Sequence, residues 1–161
     1  DGLVMSTRCG ALDPGVILHL LREGMDVPTL ERLLYKESGL LGVSGSSGDL
    51  QTLLVSDDLQ AEQALELFVR RCCEVIAGLA ATMQGIDALV FTGGIGEHQA
   101  ETRAYIVQRL AWLGAQLDIK RNAEHSWCIS SNTNQLNNSG MKVFVVQTDE
   151  EQEMVKQAFN V

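Results

Sequence analysis

The chain is short of positive charge: 12 lysines and arginines stand against 21 aspartates and glutamates, a net charge of −9 with an isoelectric point near 4.7. A duplex nucleic-acid binder usually shows a basic face, so the balance argues against that class. Nucleotide binding stays open, because a few local amides and one arginine can hold phosphates in an acidic protein. Metal-ligand cysteine spacing is absent too. Cys9, Cys72, Cys73 and Cys128 form no C-x-x-C pair, and Cys72 and Cys73, adjacent in a predicted helix, diverge by about 100° and should not bridge. Reduced thiols in a cytoplasmic protein are the simplest reading. There is no signal-peptide pattern and no uninterrupted apolar run long enough to span a bilayer, which argues against a membrane role. Internal repeats and low-complexity tails are also missing.

What is present is ordinary globular material: 45% hydrophobic and 20% charged residues over 161 positions. That length predicts one domain with a proper core and is too short for two of usual size. The chain opens on Asp1, not methionine, and enters an apparent strand at once, which predicts a fragment of a longer protein.

One stretch organises the rest. Asp87-Ala88-Leu89-Val90-Phe91-Thr92 is a strand-forming run that feeds into Gly93-Gly94-Ile95-Gly96-Glu97, and an amphipathic segment follows from near Gln99. The pattern predicts strand, tight loop, helix. Glycines let a ligand approach backbone amides, and a following helix offers unpaired N–H groups, a combination that suits phosphate. By residue pattern alone the glycines could equally make only a strand-to-helix turn. Two familiar patterns are excluded by counting: a Rossmann fingerprint needs glycine where the chain has Gln99, and a P-loop needs Gly-Lys-Ser/Thr, which is absent.

In chain order, Leu3 to Met5 is a short strand candidate running into a polar turn with Arg8. Asp13 caps a helix with Pro14 at its first position, and Asp26 caps a second from about Val27 to Lys36, stopped by Gly39. Leu40 to Asp49 reads as a glycine- and serine-rich loop, either linker or binding loop. Asp57 and Asp58 open the longest helix, about Leu59 to Met83, with apolar residues every three or four positions. A further helix is predicted from about Ala100 to Leu113, with Gly114 as its stop. Leu117 to Ile119 and Cys128 to Ser130 are weak strand candidates, the asparagine-rich stretch 132–140 is a turn, and Lys142 to Gln147 is a strong strand followed by a helix from Thr148-Asp149-Glu150-Glu151. The two strong strands each lead into a helix and flank another, which predicts parallel neighbours with a shared carboxyl rim where open α/β sheets bind ligands. A glycine turn and a carboxylate would then meet there, as a magnesium–nucleotide site requires.

Three segments taken together resemble the acetate kinase family. Val4-Met5-Ser6-Thr7-Arg8-Cys9-Gly10-Ala11-Leu12-Asp13-Pro14 is similar to its M-G-T-R-S-G-x-x-D-P, Ser38-Gly39-Leu40-Leu41-Gly42-Val43-Ser44-Gly45 to its S-G-L-L-G-x-S-G, and Phe91-Thr92-Gly93-Gly94-Ile95-Gly96-Glu97 to its F-T-G-G-I-G-E-N. The resemblance covers the whole chain but only the C-terminal part of such an enzyme, so the family's N-terminal domain has no counterpart here. It implies an α/β nucleotide-binding domain of the actin/hexokinase/Hsp70-like, ribonuclease H-like fold. It also implies reversible transfer of the ATP γ-phosphoryl group to acetate, or to propionate or butyrate, with Mg2+, in a homodimer when intact. By position, Arg8 matches the arginine that contacts the transferring phosphoryl group. Asp49, Leu50 and Gln51 fall in the adenosine segment S-x-D-x-R, where Gln51 replaces the arginine. Gly94, Ile95, Gly96, Glu97 and His98 fall in the nucleotide loop, His98 replacing asparagine, and Glu150 matches the magnesium-associated glutamate of T-[DN]-E-E.

The residues themselves leave other readings open. Arg8 could cap a turn, Asp49 could be only an N-cap, Glu150 could answer a helix dipole, and His98 could be a donor or a solvated residue. Without its missing half the chain alone is expected not to turn over, and a non-catalytic nucleotide-binding or dimerisation module is the rival from another class.

Overall fold

The computed structural model describes residues 2–131 and 140–159, with the side chains of 150–153 outside that description. The chain divides into two compact units, Asp1–Met83 and Gln84–Val161. The asparagine-rich turn expected at 132–140 lies, but for Gly140, outside the described residues.

The first unit is helical. Helices α1 (Pro14–Arg22), α2 (Val27–Lys36), α3 (Gly39–Ser44) and α4 (Leu50–Leu54) precede α5 (Leu59–Thr82). Four of these starts were legible from a capping aspartate, and each cap forms: Asp13 accepts from the Gly15 amide, Asp26 from Thr29, Asp49 from Thr52 and Asp58 from Gln60. α3 and α4 pack on α5, where Ala61 and Ala64 are wholly buried. Alanine at these positions lets the short helices lie close, and Leu40, Leu50, Leu53, Phe68 and Val69 fill the space around them. Cys72 belongs to this packing, and burial, aided by Cys73, pushes its thiol up to about 11, which keeps it protonated and inert.

Two expectations fail here for one reason. Leu3 to Met5 forms no strand, and the predicted loop from Leu40 to Asp49 begins as helix α3. The carbonyls of Met5 and Ser6 accept from the Leu40 and Leu41 amides at 2.9 Å each. The extended segment therefore satisfies the free amides of a helix start instead of joining a sheet.

The second unit holds β1 (Ala88–Phe91), α6 (Gly93–His98), α7 (Ala100–Arg109), a 3-10 turn (Ala111–Leu113), α8 (Ile119–Ala123), β2 (Lys142–Val145) and α9 (Glu150–Phe159). β1 and β2 pair in parallel, with Ala88 opposite Lys142 and Phe91 opposite Val145, as the strand–helix–strand pattern predicts. The segment around Cys128 to Ser130 runs antiparallel beside β2 through single bridges, and Leu117 bridges Ser130. Neither becomes a strand, because Asp118 turns to cap α8 through the Arg121 amide. The helix expected to reach Leu113 ends at Arg109 and tightens into the 3-10 turn, closed by Gly114 at φ +90°. Ile106, Val107, Leu110, Ile129, Val143 and Val145 form the core of this unit. Among the described residues no helix is long and apolar enough to cross a membrane.

Candidate functional site

The glycine stretch after β1 is a helical turn, not an open loop. Thr92 is extended, Gly93 takes φ +69°, and α6 begins there. Its glycines have different reasons. A side chain at Gly96 would press on the Phe91 backbone at 3.1 Å, so this glycine lets the turn close onto the end of the strand. A Cβ on Gly94 would meet nothing within 4 Å, and Gly94 has an ordinary φ, so neither packing nor conformation asks for glycine there. That open face is what close approach of a phosphate or sugar would use.

Glu97 holds this turn together. Its Oε1 accepts from the Gly93 amide at 2.8 Å, the Thr148 amide at 3.0 Å and the Thr148 hydroxyl at 3.1 Å. These bonds, led by the Thr148 amide and followed by that of Gly93, hold its carboxyl below the usual 4.5 against the opposing effect of desolvation. The shared rim expected from the parallel strands is therefore real: the glycine turn after β1 and the Thr148-Asp149-Glu150 segment after β2 meet at one oxygen. Oε2 has no protein partner among the described residues. The side chain of Glu150 lies outside the description, and among the described residues no group of three or more His, Cys, Asp or Glu is placed to hold a metal.

Beneath the turn sits Arg103, 1% exposed. Its Nη1 donates to the carbonyls of Gly96 and Glu97 at 2.8 and 2.9 Å, its Nε to Asn122 Oδ1 at 2.8 Å and its Nη2 to the Asn122 carbonyl at 2.8 Å. Burial lowers its pKa. His125, at φ +52°, brings Nδ1 to 2.8 Å from the Glu97 carbonyl and 3.2 Å from Arg103 Nη2. One nitrogen cannot both donate to the carbonyl and accept from the guanidinium, so the tautomer selects between them. His98, at the exposed end of α6, lines a cavity of about 290 Å³ with Glu97, His125, Trp127 and Gln147.

In the first unit the structure brings two of the three motifs together. Gly39 takes φ +66°, and a side chain there would strike the Met5 carbonyl and crowd the Arg8 backbone. A Cβ on Gly48 would lie 2.8 Å from the Ser6 carbonyl. Both glycines thus make room for the segment that carries Arg8, which is further fixed by Ser38 N–H to the Thr7 carbonyl at 3.0 Å and Cys9 N–H to Leu34 at 3.2 Å. The Arg8 side chain is exposed, with its guanidinium carbon 5.3 Å from the Tyr35 ring centroid. It borders a cavity of about 300 Å³ with Met5, Cys9, Leu12 and Leu34, and among the described residues no carboxylate pairs with it.

Asp49 caps α4 through the Thr52 amide and hydroxyl at 2.9 and 2.7 Å, and the Thr52 hydroxyl first, then its amide, lower its pKa. The Leu50 side chain is buried in the packing against α5, while Gln51 is exposed.

Arg103, Asn122 and Thr148 were missed in the sequence. An arginine in an amphipathic helix reads as solvated. Yet Arg103 lies three and four positions before Ile106 and Val107, on the face they bury, which was the available signal.

Comparison with known proteins identifies the family. The family model described as "Acetokinase family" matches residues 1–156. The acetate kinase of Rhodopseudomonas palustris strain TIE-1 is 57% identical over 127 residues, covering 78% of this chain and 32% of that protein. The acetate kinase structure from Porphyromonas gingivalis superposes with a TM-score of 0.87 at 35% identity, over 99% of this chain and 41% of its own. A propionate kinase structure from Francisella tularensis does so with 0.84 at 35% identity, over 94% and 38%. The chain thus spans about a third of the length of the curated relatives it matches. Its fold is that of these kinases, the α/β actin/hexokinase/Hsp70-like class, and the chain belongs to the acetokinase family.

Proposed function

We propose that the chain is the C-terminal nucleotide-binding domain of an acetate kinase, which transfers the γ-phosphoryl group of ATP to acetate, giving acetyl phosphate and ADP, reversibly. The observation that carries this reading is the open face at Gly94, beside the Glu97 oxygen that joins the ends of both strands. Phosphoryl transfer asks a protein chiefly to position reactants and neutralise equatorial oxygens. In the second unit ATP or ADP lies against Gly94, Ile95, Gly96, Glu97 and His98; in the first, Asp49, Leu50 and Gln51 are the candidate adenosine residues. Asp49 contributes by fixing the start of α4; Leu50 contributes through its backbone, since its side chain is committed to the core. Arg8 stabilises charge on the transferring group: an exposed, permanently charged planar guanidinium suits that task better than an ammonium.

Glu97 and Thr148 meet at the rim, and Asp149 and Glu150 follow Thr148 in sequence; carboxylate and hydroxyl oxygens are the donor chemistry of a hard cation. Glu150 would hold Mg2+, which supplies charge neutralisation of the phosphates. The acid to be phosphorylated is read by the remaining two thirds of such a protein. Propionate is the second reading, because the Francisella propionate kinase is as similar in sequence as the Porphyromonas acetate kinase, 35% each. On this reading the intact enzyme is a cytoplasmic homodimer.

Calorimetric titration of the chain with Mg-ATP and Mg-ADP tests the reading. Gly94→Val is expected to abolish binding while Arg8→Ala leaves it within about twofold. The same Arg8→Ala in the full-length enzyme lowers turnover by on the order of 10³-fold. Absence of binding to the unaltered chain up to millimolar nucleotide, or a Gly94→Val chain that binds normally, sinks it.

A further inference from the structure

Arg103 is a buried cation without a carboxylate among the described residues, and a leucine in its place would avoid the cost of desolvating a charge. What it has instead is a full set of neutral acceptors. Four N–H groups meet the carbonyls of Gly96, Glu97 and Asn122 and the Asn122 amide oxygen, and the fifth faces His125. Gly96 and Glu97 lie in the last turn of α6, and Asn122 in that of α8, so the guanidinium sits against the negative ends of two short helices.

α6 needs such help. It has six residues, three of them glycine, and an isolated helix shorter than about 12 residues is marginal even without glycines, each of which costs about 1 kcal/mol against alanine. Its geometry is therefore set from outside, at the start by Glu97 Oε1 on the Gly93 amide and at the end by Arg103. Asn122 in turn holds Arg103, while its own amide donates to the Ala100 carbonyl at 2.7 Å, at the start of α7. The device runs from α8 through Arg103 to the turn, and each link is a hydrogen bond of 2.7 to 2.9 Å.

We propose that Arg103, locked by Asn122, is a positioning residue for the nucleotide: it grips the carbonyls of Gly96 and Glu97 and so fixes the direction in which the open face at Gly94 points. The inference rests on the nucleotide reading given above. Only a planar fork reaches all these carbonyls together. A lysine in its place keeps the charge and the stem but offers a single point, so Arg103→Lys separates the fork from the charge.

The test is calorimetry of the full chain with Mg-ADP, in which stoichiometry reports the folded fraction and the dissociation constant reports the site. Arg103→Lys is expected to weaken binding by on the order of tenfold or more at unchanged stoichiometry, the scale typical when a group that orients a binding contact is removed. Asn122→Ala, which leaves the guanidinium in place but removes its Nε acceptor, is expected to weaken binding about threefold and carries the test should Arg103→Lys not fold. Amide exchange at Gly94 to His98 should quicken in both variants while that of α5 stays as it was. A folded Arg103→Lys or Asn122→Ala chain that binds Mg-ADP as tightly as the parent overturns the positioning role and leaves the nucleotide site standing. An unaltered chain that binds no Mg-ADP overturns the nucleotide reading and this inference with it.

Discussion

Glu97 shows how much one atom can organise. Its Oε1 takes four hydrogen bonds, two of them from Thr148, 51 positions away in sequence. Because its folded pKa lies below the ordinary 4.5, its share of stability is fully present above that value and is lost as pH falls through the folded one. Asp26 and Asp49 titrate in the same direction through their capped threonines. The decline of the unfolding midpoint between pH 6 and pH 3 should therefore be shallower in Glu97→Gln than in the parent, without vanishing; equal slopes would show that the carboxylate charge does not hold the rim. At this scale the sequence showed residue types better than duties. It marked Glu97 by its motif as a nucleotide contact, whereas the fold uses its carboxylate first as a tie. It gave no hint of Thr148 as the partner, since long-range pairing leaves no local pattern.

Among the elements, the helices announced by an aspartate and a downstream stop formed within about a residue of expectation, because capping is local chemistry. The two parallel strands were legible for the same reason: each is a compact apolar run feeding a helix. What could not be read locally was α3. A glycine-rich stretch has poor helix propensity, and only the carbonyls of Met5 and Ser6, supplied from more than 30 positions upstream, make its first turn worthwhile. Gly39 is the hinge of that junction. Gly39→Ala combines a positive φ with a collision against Met5 and should cost several kcal/mol, roughly 3 or more. By contrast Gly94→Ala, with open space and an ordinary backbone, should be neutral or stabilising by up to about 1 kcal/mol. Thermal unfolding of the two variants side by side checks this, and similar losses in both would mean that α6 is packed more tightly than its geometry shows.

For the whole molecule the net charge of −9 matters more than its ion pairs. The pairs, such as Arg32–Glu37 at 2.9 Å and Arg71–Glu74 at 2.8 Å, are exposed and each is worth well under about 1 kcal/mol. Self-repulsion is spread over the chain and is screened as the Debye length falls from about 30 Å at 0.01 M salt to about 8 Å at 0.15 M. Stability should accordingly rise across that range by roughly 1 kcal/mol, or about 3 °C in the midpoint, and a fall would mean that the surface pairs outweigh the net charge.

The shared oxygen of Glu97 also bears on the thermodynamics of recognition. Since the two rim segments are tied together before any ligand arrives, the conformational entropy of fixing their spacing is lost during folding. On the proposed reading, a nucleotide entering such a preformed rim would meet little further ordering, and its association would be governed by contact and desolvation, with scant contribution from a chain settling around it.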